Sequence, residues 1–161
     1  MRVLNTHERA LPCRSRESVG RMLSTLGQAD DLLWPRGHWP AMVLDGPLLP
    51  GATGGHGPIR YGVSSYTPGE RLVFSLTAPP GFEGSHRFEL GAEAAAPVLR
   101  HVLEMRTRGL ATLLWLLVIR PLHDALLEDL LARAASEPPP RWSWYVRRLR
   151  AALRGRRRPA R

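Results

Sequence analysis

The sequence predicts an α+β fold in which a curved antiparallel sheet wraps around a long C-terminal helix. Three observations predict it. Apolar residues recur at every second position through residues 59–76 and again through 86–105, each stretch broken near its middle by loop residues, the pattern of two β-hairpins with one buried face. From Gly109 to about Ala135 the period becomes that of a helix. The strands come as a run and the long helix is segregated to the end, the order of an α+β domain.

Residues 2 to 11 are β-compatible and end at Pro12, which predicts a first strand. Ser15 to Leu26 predicts an amphipathic helix, with Val19, Met22, Leu23 and Leu26 at helical spacing and Gly27 as its stop. Residues 30 to 58 are rich in glycine and proline, with Trp34, Trp39 and Met42 as apolar anchors, and predict connectors around a short strand near Trp39 to Leu44. In the first hairpin Thr67-Pro68-Gly69-Glu70 is the turn. Closing it there sets Val63 opposite Phe74 and Tyr61 opposite Leu76, all on one face. In the second, the simplest register pairs Leu90 with Pro97, Phe88 with Leu99 and His86 with His101. The early half of the final helix, GLATLLWLLVI, is apolar on most sides, which predicts burial in something concave. Pro121 should kink or briefly interrupt that helix.

The chain has 161 residues, which fits one domain with a real core. Ser136-Glu137-Pro138-Pro139-Pro140 is a rigid break, so residues 1–136 read as the body and 137–161 as a tail. All 23 basic residues are arginine, and residues 141–161 hold nine of them with no acid, so the formal charge of +9 belongs to the tail and the body is neutral. Cys13 is the one cysteine, which excludes an intramolecular disulfide and any multi-cysteine metal site. No N-terminal apolar run suits a signal peptide, and the longest largely apolar run, Leu110 to Ile119, is short of the ~18–20 residues of a membrane span. These features predict a cytoplasmic protein.

The segments WPAMVLDGPLLPGATGGHGPIRYGVSSYTPGERLVFSLTAP, GSHRFEL, LRHVLEM and LLWLLVIRPLHDALLEDLL, in this order, resemble the SRPBCC superfamily over residues 2 to 135. Its members include START-like, birch-pollen-allergen-like and polyketide cyclase/dehydrase proteins. The resemblance implies a helix-grip fold, with the sheet gripping the C-terminal helix over an apolar pocket for lipids, polyketides or other hydrophobic ligands. Some members are cyclases or hydrolases and others only carry, and fold alone does not choose between them.

His86 and His101, two imidazoles on facing strands of an apolar face, are the candidate catalytic pair. They are suited to general acid/base work, to holding a polar ligand group, or to a purely structural role. A metal needs a third and usually a fourth ligand, and none is evident beside them, so no metal and no cofactor is expected. His56, in Gly54-Gly55-His56-Gly57, is a candidate to close over the pocket mouth. The expected lining is His56, Tyr61, Val63, Phe74, Leu76, Phe88, Leu99, Leu103, Leu113 and Leu117, with Trp39 or Trp115 near an entrance. No nucleophile elbow exists, and His123 and Asp124, adjacent on a helix, do not face each other, so a hydrolase triad is poorly supported. Asp124, Glu128 and Asp129 with Arg120 and Arg133 read as a solvated face, with Asp129 pairing Arg133 one turn on.

In the tail, Trp142, Tyr145, Val146, Leu149 and Leu153 share one helical face. Trp142, Trp144, Arg147, Arg148 and Arg150 would suit an anionic membrane surface, and Arg156 to Arg158 would extend it as a basic end. Nucleic acid is the disfavoured partner. Three functions follow as expectations: binding of a hydrophobic small molecule, a cyclase- or dehydrase-like reaction using the pocket histidines, or peripheral membrane association through the tail.

Overall fold

The computed structural model describes residues 1–91 and 96–155. Seven strands, β1 (Arg2–Ala10), β2 (Val43–Leu44), β3 (Thr53–His56), β4 (Ile59–Thr67), β5 (Arg71–Ala78), β6 (Phe82–Gly91) and β7 (Val98–Thr107), form one antiparallel sheet in the order β1-β7-β6-β5-β4-β3-β2. Helix α1 (Arg16–Ser24) follows β1, and its N-cap Ser15 accepts a bond from the Ser18 backbone N–H at 3.1 Å. The long helix runs continuously from Leu110 to Ala135 as α2 (Leu110–Leu114), a π-helical turn (Trp115–Ile119) and α3 (Arg120–Ala135). Helix α4 (Trp144–Gly155) lies in the tail. This is the predicted α+β architecture, a sheet with its long helix laid against one face.

Period two decides what is inside. Val63, Leu72, Phe74, Phe88, Leu90 and Leu99 point into the same core as Leu126, Leu127, Leu130 and Leu131 of α3. A second cluster joins Val3, Phe82, Leu103 and Met105 to Ala111 and Trp115. The first hairpin has the expected register, with Tyr61 opposite Leu76 and Val63 opposite Phe74. Its turn closes through the Glu70 N–H to the Thr67 carbonyl at 3.1 Å, and Gly69 supplies a φ of 70° that side chains rarely adopt. That turn packs on α1 so closely that a Cβ at Gly20 would lie 2.9 Å from the Gly69 carbonyl.

The second hairpin corrects the expected register by two residues: Leu90 pairs with Leu99, Phe88 with His101, and His86 with Leu103. Proline has no ladder N–H, so pairing stops at Gly91–Val98, and Pro97 instead offers its carbonyl to the Leu11 N–H at 2.9 Å. A shift of two keeps every side chain on its face, so alternation alone does not separate the two registers.

The early half of the long helix is the larger correction. It lies at the end of the sheet with only Ala111 and Trp115 buried, while Leu113 and Leu117 are 55% and 57% exposed. Both sit two residues from Trp115, roughly 200° around a helix that turns 100° per residue, and so point away from the protein. Pro121 does not break the helix. Its ring displaces the hydrogen bond to the carbonyl four residues back, Leu117, and the π-helical turn lies there. The Tyr145 hydroxyl of α4 donates to that Leu117 carbonyl.

Candidate functional site

A row of imidazoles crosses the inner face of the sheet, perpendicular to the strands. His56 on β3, Tyr61 on β4, His86 on β6, His101 on β7 and His7 on β1 each contribute one ring, and His123 of α3 reaches down between His101 and His7. Strand alternation places them: His86 precedes the inward Phe88 and Leu90, and His101 falls between the inward Leu99 and Leu103. His7 stands directly across the ladder from His101.

His56 Nδ1 lies 3.0 Å from the Tyr61 hydroxyl. The Tyr61 and His86 rings meet edge to face at 4.9 Å, and Phe74 stacks on His86 at 4.8 Å. His86 Nδ1 and His101 Nε2 are 3.3 Å apart, so one donates to the other. Beyond them the His101 and His123 rings are 5.1 Å apart. The far end is charged: His7 Nδ1 meets Glu128 Oε1 at 2.8 Å and His7 Nε2 meets Asp124 Oδ1 at 3.2 Å. Asn5 donates to the same Asp124 oxygen at 3.0 Å, and Arg9 bonds Glu128 at 2.9 Å.

Hydrogen bonding along this row is incomplete. Among the described residues, His86 Nε2, His101 Nδ1, His123 Nδ1 and Asn5 Oδ1 are buried with no hydrogen-bond partner. Such groups cost about 1–3 kcal/mol each when left unpaired. Burial holds His86 and His101 well below the ordinary imidazole range, and the neighbouring imidazoles lower them further. Burial also lowers His123, against the opposing pull of Asp124, and lowers His56 to about 3 although its side chain is partly exposed. Burial keeps the Tyr61 phenol protonated. At the far end the hydrogen bond to Asp124 raises His7. Burial would raise Asp124, but the His123, His7 and Asn5 side chains outweigh it and hold the carboxyl well below its usual range. The row therefore runs from neutral imidazoles in the core to an ionised cluster at the β1 edge.

An open cleft of about 890 Å³ lies over β2, β3 and β4, bordered by Pro40, Leu44, Gly54, His56, Arg60 and Tyr61 among others. Gly54 is needed there, since a Cβ would stand 2.1 Å from the Val43 carbonyl on the neighbouring strand. His56 and Tyr61 connect this cleft to the row.

Of the expected site residues, His86, His101, Tyr61, Val63, Phe74, Phe88, Leu99 and Leu103 are buried on the inner face, with Leu76 half-buried beside them. His56 and Tyr61 also border the cleft. Leu113 and Leu117 do not line the interior, and Trp39 and Trp115 are buried rather than at an entrance. His86 and His101 meet diagonally instead of as a directly opposed pair. His123, Asp124 and His7 escape sequence reasoning. Against the expectation for helical neighbours, His123 Nδ1 and Asp124 Oδ1 stand 3.7 Å apart, and His7, from a strand more than a hundred residues away, reaches both.

Asp129 is a further correction. It does not pair with Arg133 on a solvated face but is buried, accepting the indole N–H of Trp39 at 2.7 Å and that of Trp142 at 3.1 Å. Helix α4 covers that face: Val146 enters the main core, and the Arg150 guanidinium lies 3.7 Å from the centre of the Trp142 ring. Trp142 and Arg150, expected to face a membrane, thus pack against the body, whereas Trp144, Arg147 and Arg148 are exposed. The expected basic end at Arg156 to Arg158 lies outside the described residues.

No protein-family model and no curated protein sequence matches the chain. Solved structures do match. CalU16 from Micromonospora echinospora superimposes with a TM-score of 0.59 at 14% identity, over 94% of this chain and 83% of its own. A norcoclaurine synthase point mutant from Thalictrum flavum, solved with a transition-state analogue, gives 0.61 at 12% identity over 84% and 95%. The di-domain aromatase/cyclase StfQ of the steffimycin biosynthetic pathway gives 0.60 at 13% identity, over 84% of this chain and half of StfQ. With the seven-stranded sheet, its long helix and these likenesses, the chain shares the fold of these proteins, the helix-grip arrangement expected from the sequence.

Proposed function

We propose that this protein binds a small, largely apolar molecule carrying a hydrogen-bonding group. The molecule enters at the cleft over β2–β4, and its polar group is met by His56, Tyr61 and the His86–His101 pair. The observation that carries this reading is the set of buried ring nitrogens without partners on an otherwise apolar face. Their cost is offset if a ligand supplies the missing bonds. The cleft has the size of a small-molecule site, and norcoclaurine synthase and StfQ make it reasonable that the fold serves such molecules. Because burial keeps His86 and His101 neutral, each keeps a ring lone pair that can accept a hydrogen bond from a ligand hydroxyl, and a cyclase-like reaction is the catalytic form of the same reading.

The test is native mass spectrometry of the purified full chain for a retained ligand, followed by fluorescence titration with 2-naphthol as an aromatic hydroxyl probe. His56→Leu and His101→Leu should each weaken binding about 10-fold or more, the loss of one buried hydrogen bond to a ligand. No retained ligand together with no saturable naphthol binding would sink the reading.

A second reading, membrane association, is favoured by a specific surface. Leu110, Leu113, Leu114, Leu116 and Leu117 are exposed together, and Tyr145 joins them to α4, where Trp144 is 68% exposed beside Arg147 and Arg148. Apolar, aromatic and basic groups in that order suit an anionic lipid surface. Leu110–Ala135 is long and apolar enough to cross a membrane by length and composition, but its second half is committed to the sheet. Co-sedimentation with phosphatidylserine vesicles should occur and should fall when Leu113 and Leu117 are both changed to Gln. An absence of sedimentation by the unmodified chain rejects this reading.

A further inference from the structure

We propose that His7, His123 and Asp124 form a binding site for a divalent transition metal of the zinc class at the β1 edge of the imidazole row. One ligand atom from each lies within 4.8 Å of the others. Asp124 Oδ1 stands 3.2 Å from His7 Nε2 and 3.7 Å from His123 Nδ1. Zinc bonds of about 2.0–2.1 Å at tetrahedral angles place ligand atoms roughly 3.3 Å apart, so both spacings are within a few tenths of an ångström of a coordination edge. Two imidazoles and a carboxylate are a donor set that zinc-class ions favour over calcium or magnesium.

The surroundings match what a metal-bound histidine requires. The other nitrogen of His7, Nδ1, meets Glu128 at 2.8 Å, and Arg9 in turn holds Glu128 at 2.9 Å. A carboxylate there takes the Nδ1 proton as a hydrogen bond and leaves the Nε2 lone pair for the metal. Asn5 fixes Asp124 through its amide and keeps a buried carbonyl oxygen without a partner. On binding, the proton between His7 Nε2 and Asp124 leaves to solvent and the cation takes its place.

The rival account is an ion-pair cluster with a protonated His7 between Asp124 and Glu128. That account covers three of the groups. It leaves unexplained the fourth, His123 Nδ1, which is buried, has no hydrogen-bond partner and stands too far from Asp124 for a hydrogen bond. A cation gives that lone pair its use. The site differs from the cleft in place and in chemistry, so it stands whether or not a ligand binds at β2–β4.

The experiment uses the tag-free full chain, stripped with chelator and titrated with Co²⁺, with bound zinc measured by elemental analysis after dialysis. The expected result is one metal per chain, ligand-field bands in the visible spectrum, and a zinc-dependent rise in Tm. His123→Ala should abolish the bands. Asp124→Asn, which keeps the shape of the side chain, should weaken binding by at least 10-fold and remove the Tm rise, and Glu128→Gln should weaken it about 10- to 100-fold. His38→Ala and Cys13→Ser should leave binding unchanged. If the unmodified chain takes up no stoichiometric metal, or if folded Asp124→Asn and His123→Ala proteins bind as well as it does, the site does not exist.

Discussion

His86 shows what a titratable group does on an apolar sheet face. Its ring stacks on Phe74, touches Tyr61 edge to face and shares a proton with His101, so the folded protein accommodates it only as the neutral form. Burial lowers its pKa, as it does for His56, whereas in the unfolded chain both titrate near 6.5. Below that pH the unfolded state binds more protons than the folded one. The stabilisation is therefore complete above about 6.5 and is lost as pH falls toward the lowered folded values. Each such histidine steepens the dependence by up to about 1.4 kcal/mol per pH unit. Urea unfolding followed between pH 7.5 and 5 should show this loss. His86→Leu, which cannot titrate, should flatten the slope by up to about that amount, and an unchanged slope would mean that His86 is solvated.

At the scale of elements, the junction between the long helix and α4 is a backbone event repaired by a side chain. Pro121 cannot donate to the Leu117 carbonyl, and Tyr145 does so instead. Tyr145→Phe should cost about 0.5–1 kcal/mol, the low end for a hydrogen bond because the side chain is partly exposed, and should raise amide exchange in α4 more than in the sheet. A larger loss spread evenly over the molecule would contradict this local role. Elements are also the scale at which the fold is legible in the sequence. Strands β1 and β4 to β7, both hairpins and the first register follow from local pattern and turn residues, whereas β3, Thr53–His56, does not, because its glycine-rich run reads as a connector. The second register depends on a proline's missing N–H, a smaller signal than the alternation it accompanies. The exposure of Leu113 and Leu117 is not legible, because an apolar run does not say how much of its circumference meets protein. Half of the site is legible, since His86 and His101 carry their strand phase with them. The other half, His7 with His123 and Asp124, is not, because its contacts join the first strand to the last long helix.

On the scale of the whole molecule, charge and packing divide the chain differently. By charge the body ends before residue 141, where nine arginines begin without an acid among them. By packing it continues into α4, because Trp142 shares Asp129 with Trp39, Val146 is buried in the main core, and Arg150 lies over both indoles. Ending the chain at Pro140 would therefore cut a structural element. It exposes the apolar contacts of Val146, about 1.5–3 kcal/mol for such a side chain, and leaves Asp129 with one indole donor in place of two. A loss of roughly 3 kcal/mol lowers Tm by about 6–12 °C in a protein of this size. A truncated chain with an unchanged Tm would show α4 to be an appendage. A chain that loses stability, while substitutions at the exposed Trp144, Arg147 and Arg148 do not, would show that the tail helix has a buried side that belongs to the fold and an outer side free to meet a partner.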